Sequence, residues 1–179
     1  MGELTDRLET LSVRASSPDG GIEGTVRGRF EVDIRFVHDA YRRYTERDLG
    51  HQLAQLGALL WTRYRREYIE TAAAVRAGDD PIIDDQPRDL VFRERMEALI
   101  VHGRSAEGWI NMRSRALVHW DVDVGVGAIR QLDEDELLLE LSGAIADILR
   151  DWQGKLIVLT DEIYDIGVPA SLRRAGADR

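Results

Sequence analysis

The sequence lacks cysteine and any long apolar run, and both absences exclude classes of protein. None of its 179 residues is cysteine, which excludes disulfide bonds, thiolate metal centres and a cysteine nucleophile. No apolar stretch approaches the roughly 18 residues that a membrane-spanning helix needs. The first residues, MGELTDRL, have no basic segment followed by an apolar run, so no signal peptide is expected. These absences predict a cytoplasmic protein with no membrane partner.

The short motifs that most often carry catalysis or phosphate binding are also missing. The serines have no G-x-S-x-G setting, and neither G-x-G-x-x-G nor G-x-x-x-x-G-K-[ST] occurs. His119, Asp121 and Asp123 alternate along one predicted strand. Side chains two apart on a strand stand about 7 Å from one another, which favours a solvated face over a metal site. We therefore predict a protein that is not an enzyme and has no catalytic residues, metal site or cofactor.

Lysine is nearly absent, and the charge is unevenly distributed. Lys155 is the only lysine among 24 basic residues, and the net charge is −9. Residues 1–77 contain 12 arginines and 12 acids, so the acidic excess comes from residues 78–179. Arginine makes forked contacts to phosphate and carboxylate, although a bias in genome base composition explains the same preference. The asymmetry predicts different partners for the two parts of the chain.

The chain repeats its own pattern at a distance of 88 residues. Without any gap, residues 7–74 are identical to residues 95–162 at 16 of 68 positions. Both segments start with a short amphipathic stretch and continue to a turn, SSPDGG in the first and SAEGW in the second. An internal duplication is the better explanation, because the order of hydrophobic patterns agrees as well.

Each copy is predicted to contain a short helix, three strands and a long helix. Alternating apolar residues over 31–36 and 118–124 indicate strands with one solvated face. Thr45 with Asp48, and Asp133 with Glu136, indicate capped helix starts. After each cap an apolar residue recurs every third or fourth position: Leu49, Leu53, Leu56, Leu60 and Tyr64, then Leu137, Leu141, Ile145, Ile148 and Trp152.

These patterns divide the chain into two units of an α+β fold. The first copy spans residues 1–77 and the second spans residues 90–168. Between them, residues 78–89 read GDDPIIDDQPRD, an acidic stretch with two prolines that is typical of a linker. Residues 169–179 are expected to form a mobile C-terminal tail.

The stretch VRASSPDGGIEGTVRGRFEVDIRF, followed by a capped long helix, resembles the YbaB/EbfC family of small bacterial nucleoid-associated proteins. The likeness covers about 70 residues of the first copy and rests on residues 17–21 and on Arg27-Gly28-Arg29. The second copy is divergent, with Ala116 at the position of Gly28.

This resemblance implies a fold and a set of functions. The fold would be two tandem α-β-β-β-α repeats that form a pseudo-dimer within one chain, with antiparallel sheets and long helices. The implied function is DNA binding with little sequence preference. Actinobacterial relatives have been linked to type VII secretion gene clusters, which implies a secretion-associated role as the other possibility.

Arginines and aromatic residues provide the candidate sites. The segments YRRYTER and WTRYRREY have arginines that could contact phosphates, beside aromatics that could stack on bases; a solvated helix face is the simpler explanation. The candidates for nucleic-acid binding are Arg42, Arg43, Arg63, Arg65 and Arg66. Large aromatics normally pack at the seam between elements, so the candidates for an interface are Trp61, Tyr64, Trp120 and Trp152.

Two functions remain open at this point. The acidic net charge and the lack of a basic patch in the second copy favour a non-catalytic protein-interaction or scaffolding module, which would have a protein partner. The alternative is a non-specific DNA-binding nucleoid-associated protein that uses the arginines of the first copy. A further homodimer, formed through free sheet edges or long helices, is compatible with either function.

Overall fold

Two three-stranded antiparallel sheets and two long helices form the core of the computed structural model, which describes residues 9–76 and 86–167. The strands are β1 (Ser12–Ser16), β2 (Ile22–Arg27), β3 (Glu31–Phe36), β4 (Ile100–Arg104), β5 (Ile110–Arg115) and β6 (His119–Val124). A short 3₁₀ helix (Tyr41–Arg43) precedes α1 (Glu46–Arg76), and α2 (Pro87–Ala98) precedes β4. A short α3 (Ala128–Gln131) precedes α4 (Glu134–Tyr164). The predicted α+β class is confirmed.

The two halves, residues 9–76 and 86–167, have the same order of strands and long helix. Each strand, and the long helix, begins and ends 88 residues after its counterpart. The turn bonds recur at the same offset. The hydroxyl of Ser17 accepts from the N–H of Ile22 at 3.0 Å, and Ser105 accepts from Ile110 at 3.0 Å.

The local patterns of the sequence correspond to the observed elements. Both long helices begin where the caps indicate. Thr45 Oγ1 accepts from the N–H of Asp48, and Asp133 forms a full capping box with Glu136. The apolar positions of both long helices lie against the core, and the two strands with alternating residues are paired as expected.

The borders of the predicted units differ from the structure at one place. Helix α2 begins at Pro87, so the last three residues assigned to the linker are helical. Proline is favoured at the first helical position, because its missing N–H has no partner there in any case. Gln86 is extended and precedes the helix. Residues 78–85 of the predicted linker, the residues before 9 and the predicted tail at 169–179 lie outside the described residues.

Each long helix packs on its own sheet and also reaches the edge strand of the other half. Helix α1 covers the inner faces of β1 and β2 and packs along β6, whereas α4 covers β4 and β5 and contacts β3. Two polar links cross the same seam. Tyr41 Oη donates to the carbonyl of Leu132 at 2.9 Å, and the N–H of Gly127 donates to Glu46 Oε1 at 2.9 Å. The two halves therefore share one continuous apolar core.

The turn between β5 and β6 is strained, because two residues with side chains occupy left-handed conformations. Ala116 has φ 55° and Leu117 has φ 56°, as in the tight hairpin turns that favour Asn-Gly. The counterpart of Ala116 in the first half is Gly28, with φ 48°. Leu117 is nearly fully buried, and its packing holds the turn in place.

Replacing Ala116 with glycine is expected to stabilise the protein by about 0.5–1 kcal/mol. The left-handed conformation costs a non-glycine residue about 1–2 kcal/mol, and the greater freedom of glycine in the unfolded chain offsets part of that gain. Urea unfolding of wild type and variant measures the difference. The control is Ala146→Gly on the exposed face of α4, which should destabilise by about 1 kcal/mol. If Ala116→Gly lowers the free energy of unfolding as Ala146→Gly does, the turn at Ala116 is not strained.

Candidate functional site

The aromatic residues predicted to form an interface lie together at the seam between the halves. The rings of Trp61 and Trp152 meet edge to face with centroids 5.5 Å apart, and Phe30 packs on both. Tyr64 is buried, and its hydroxyl donates to the carbonyl of Gly28 at 3.0 Å. Trp120, on β6, packs against α1 beside Gly57. These large apolar side chains therefore pack on one another and on the core within the chain.

Helix α1 approaches β6 closely because it has glycine at two positions seven residues apart. A methyl group at Gly50 would lie 2.4 Å from the carbonyl oxygen of Val122, and one at Gly57 would lie 3.1 Å from the indole of Trp120. The corresponding residues of α4, 88 positions later, are Leu138 and Ile145, whose side chains do not allow so close an approach. The packing of helix on edge strand is therefore tighter for β6 than for β3.

This difference leaves a cavity of about 80 Å³ at the seam. Apolar side chains of both halves line it, among them Phe30, Ile34, Trp61, Trp120, Ile145 and Leu149. Because the lining is almost entirely apolar, a water molecule in this space would find few hydrogen-bond partners. The indole Nε1 of Trp61 is buried and has no partner within the described residues. The space is a packing imperfection of the seam.

Gly50→Ala is expected to destabilise the protein by more than about 1 kcal/mol, although alanine favours helix by about that amount. The new methyl group would meet the backbone of β6, which cannot move without opening the seam. Gly143→Ala makes the same change on α4, where nothing lies within 4 Å of the added atom, and should stabilise. Urea unfolding compares the two. Equal stabilisation of both variants would show that α1 is not held against β6.

The structure divides the candidate nucleic-acid-binding arginines between two places. Arg42 and Arg43 lie on the 3₁₀ helix before α1, and Arg63, Arg65 and Arg66 lie on α1 itself. At 1.5 Å per residue, the helical stretch alone separates the two groups by about 25 Å. Arg66 pairs with Glu70 at 2.8 Å. The Nη1 of Arg63 donates to the backbone carbonyl of Arg14. The five arginines therefore form no single basic patch.

The turn before β2 contains a connected set of titratable groups. Asp19 accepts from Ser17 Oγ at 2.6 Å, from the N–H of Gly21 at 3.0 Å and from Tyr44 Oη at 2.6 Å. Burial raises the pKa of Asp19, but these hydrogen bonds outweigh it, so the pKa lies below the usual value. Burial and the bond to Asp19 raise the pKa of Tyr44 to about 12. Every one of these contacts holds the turn.

Asp19→Asn is expected to lower stability at neutral pH by about 0.5–1 kcal/mol, since Asp19 is exposed and solvent screens its charge. The folded pKa of Asp19 is depressed, so its contribution is present above pH 3.8, the unfolded value, and is lost as the pH falls through the folded pKa. Urea unfolding at neutral and acidic pH tests this. A deficit that persists unchanged in acid would contradict the role of the carboxylate.

Side chains of α4 cover the outer edge of β4. The backbone groups of Ile100, His102 and Arg104 point away from β5, because the odd-numbered residues of β4 pair with it. The N–H of His102 donates to Asp151 Oδ2 at 2.8 Å, and the N–H of Arg104 donates to Asp147 Oδ2 at 3.1 Å. Lys155 Nζ donates to the carbonyl of Ile100 at 3.0 Å. Three side chains of α4 thus form hydrogen bonds with the outward backbone groups of three residues of β4.

The spacing of these three side chains along α4 matches the spacing of the outward backbone groups along β4. Asp147, Asp151 and Lys155 are four residues apart, and four helical residues rise about 6 Å. Alternate residues of a strand are about 6.7 Å apart, so a helix lying along a strand presents one side chain to each outward backbone position. Lys155 also pairs with Asp151 at 2.8 Å, and this pair is largely buried.

The corresponding edge, that of β1, has little such cover. The even-numbered residues Ser12, Arg14 and Ser16 point their backbone groups away from β2. Within the described part of the chain, the bond from Arg63 to the carbonyl of Arg14 is the one hydrogen bond to these outward groups. The edge of β1 is the candidate functional site, because its outward backbone donors and acceptors, apart from the Arg14 carbonyl, have no partner among the described residues and can bind another chain.

Comparison with known proteins assigns no family. The chain matches no protein-family model, and neither a curated protein nor a solved structure is significantly similar to it. In the described ranges, no helix is both long and apolar enough to cross a membrane, and no three potential ligand side chains lie close enough together to hold a metal ion.

The sequence patterns predict the helix of Arg63, Arg65 and Arg66, but neither the 3₁₀ helix of Arg42 and Arg43 nor the difference between the sheet edges. Asp147, Asp151 and Lys155 form a polar row with a spacing of four, beside the apolar stripe of α4. Gly50 and Gly57 share one face of α1. Both are readable signals, yet each gains a meaning only when the strand beside the helix is known.

Proposed function

We propose that the chain is a tandem duplication of a YbaB/EbfC-like unit whose two halves form a pseudo-dimer in one polypeptide. The common offset of 88 residues in all six strands and both long helices supports this proposal. So do the turn hydrogen bonds that recur at Ser17 and Ser105. The shared core, in which each long helix reaches the other half's edge strand, supports the pseudo-dimer.

On this fold, the chain acts as a non-catalytic protein-interaction or scaffolding module. The observation that carries this function is the open edge of β1, set against the covered edge of β4. An exposed edge strand is a template for pairing with another chain, and proteins that do not use such an edge usually block it. The connected group of titratable side chains around Asp19 is occupied in holding a turn, which favours binding over catalysis.

Non-specific DNA binding is the second candidate function. It is favoured by Arg42, Arg43 and Arg65, which are exposed and form no ion pair in the described structure. Against it stand the 25 Å or so of helix between the two groups and the neutralisation of Arg66 by Glu70. Phosphate affinity depends on several cations acting together, which this arrangement does not provide.

Fluorescence anisotropy with labelled duplex DNA separates the two functions. We expect the full-length protein to show no salt-sensitive binding at micromolar concentration, because its arginines are dispersed and the net charge is −9. Binding that collapses with added salt, and that Arg42→Glu with Arg65→Glu abolishes, would overturn the interaction module in favour of DNA.

Site-specific photo-cross-linking tests the interaction module directly. A photoreactive residue is placed at Arg65, at Ser12 or at His119, which lie on three different exposed surfaces, and the variants are expressed in the cells that naturally produce the protein. Discrete protein adducts from at least one position support the module. Adducts to DNA alone, or none from any position, would refute it.

A further inference from the structure

The two outer edges differ at three helix positions that occupy equivalent places. Asp147, Asp151 and Lys155 cover β4, and the residues 88 positions earlier on α1 are Leu59, Arg63 and Glu67. The side chain of Leu59 can neither donate nor accept a hydrogen bond. Arg63 can only donate, so it bonds to the carbonyl of Arg14 and cannot accept from the N–H groups of β1. Glu67 makes no hydrogen bond to β1. The first half has the same helix beside the same strand without the covering side chains.

The uncovered groups can be counted from the pairing of β1 with β2. Among the outward groups of β1, the N–H groups of Arg14 and Ser16 have no protein partner in the described structure. The same two positions in β4, His102 and Arg104, are the ones that donate to carboxylates. A strand added beside β1 would therefore meet two free donors at the spacing of a regular ladder.

Surface depressions follow this edge along most of its length. One is lined by Arg63 and by residues of all three strands of the first sheet, so it extends from the edge across the sheet. The next is lined by Ser12, Arg14, Arg66 and Glu67, and a third by Ser12 and by α1 down to Ala74. The walls of the second and third depressions are the edge of β1 on one side and α1 on the other. The strand has five residues, so an extended segment of about 17 Å would lie alongside it.

Charge at the edge favours an acidic occupant. Arg14, Arg27 and Arg63 line the first of these depressions, and none of them forms an ion pair within the described residues. The carboxylate of Glu23 in the same depression is already paired with Arg35. Asp33 is on β3, two strands and about 10 Å from the edge. Glu67 lines the second and third depressions, and in the second it is outnumbered by three arginines.

A second copy of the chain fits this edge less well. Symmetric antiparallel pairing of two β1 strands over all five residues would place Arg14 directly opposite Arg14 of the other copy. Like charges directly opposite each other across a strand pair are destabilising. The arginine at the centre of the edge therefore disfavours self-association and favours a chain with carboxylates at that position.

We infer that the edge of β1 is a docking strand that takes an extended, acidic segment of another protein as a fourth strand of the first sheet. The free N–H groups of Arg14 and Ser16 supply backbone hydrogen bonds, and Arg14 and Arg63 recognise carboxylates on the added strand. This inference rests on the proposed interaction module and names its site and the class of its partner.

The first test titrates the full-length, isotope-labelled protein with synthetic peptides and follows its backbone amides by NMR. The probe is Thr-Glu-Val-Glu-Val-Glu-Thr. One control, Thr-Lys-Val-Lys-Val-Lys-Thr, reverses the charge. The other, Thr-Glu-Pro-Glu-Pro-Glu-Thr, keeps the charge but cannot form a regular ladder, because proline has no N–H. At millimolar peptide, the amides of Arg14 and Ser16 should shift with the first peptide alone. The amides of His102 and Arg104, which are already bonded, serve as the internal control and should not shift.

Two variants test the site without relying on the peptide alone. Ser16→Pro removes one outward N–H and no bond of the β1–β2 ladder, so the fold should persist while affinity falls about tenfold, roughly the effect of one lost hydrogen bond. The triple variant L59D/R63D/E67K gives α1 the side chains that α4 uses to cover β4. It should close the edge and abolish the shifts at Arg14 and Ser16. Circular dichroism confirms that each variant is folded.

The outcomes separate the site from the function. Equal shifts at β1 and β4, equal binding of the acidic and basic peptides, or no shift at Arg14 at millimolar peptide would overturn the docking strand. If cross-linking nevertheless captures proteins at other surfaces, the interaction module stands and only the site is wrong. Concentration-dependent dimers that Ser16→Pro abolishes, measured by sedimentation equilibrium, would identify a second copy as the occupant and refute the acidic partner.

Discussion

The structure depends on one constraint: a three-stranded antiparallel sheet has two edges, and each edge leaves a row of backbone groups without partners. Two such sheets give four edges. The two inner edges, on β3 and β6, face the long helix of the other half, and this arrangement joins the halves into one core. Of the two outer edges, β4 is covered by its own helix, whereas described side chains leave most of β1 uncovered. The seam and the candidate site are both consequences of where the helices lie.

Small differences between equivalent helix positions decide how well each edge is covered. At the inner edges, Gly50 lets α1 lie against the backbone of β6, whereas its counterpart Leu138 does not allow this for β3. At the outer edges, carboxylates accept from the N–H groups of β4, whereas Arg63 cannot accept from those of β1. The backbone arrangement is the same in both halves, and the side chains beside each edge determine how closely a helix approaches it and whether its backbone groups are bonded.

The sequence predicts the elements well because their signals are local. Strand alternation, the caps at Thr45 and Asp133 and the apolar stripes depend on residues close together in the chain. Helix α2 begins at Pro87, three residues before the predicted start of the second unit, because proline occurs at helix starts as readily as in linkers. The seam between α1 and β6, and the cover of β4, join residues about 50 to 70 positions apart. No local pattern shows which strand will lie beside which helix. The separation of the five arginines, in contrast, follows from the length of the predicted helix between the two groups.

The proposed duplication gives a reason for one chain to contain both halves. In a symmetric homodimer the two subunits present the same surface, so both outer edges would be covered or both would be open. With two open edges, each molecule could pair at both ends and form open chains of molecules. Joining the halves in one polypeptide lets Asp147, Asp151 and Lys155 close one edge while the other stays available. A single docking strand is therefore a property that this fold gains only when its two halves are free to differ.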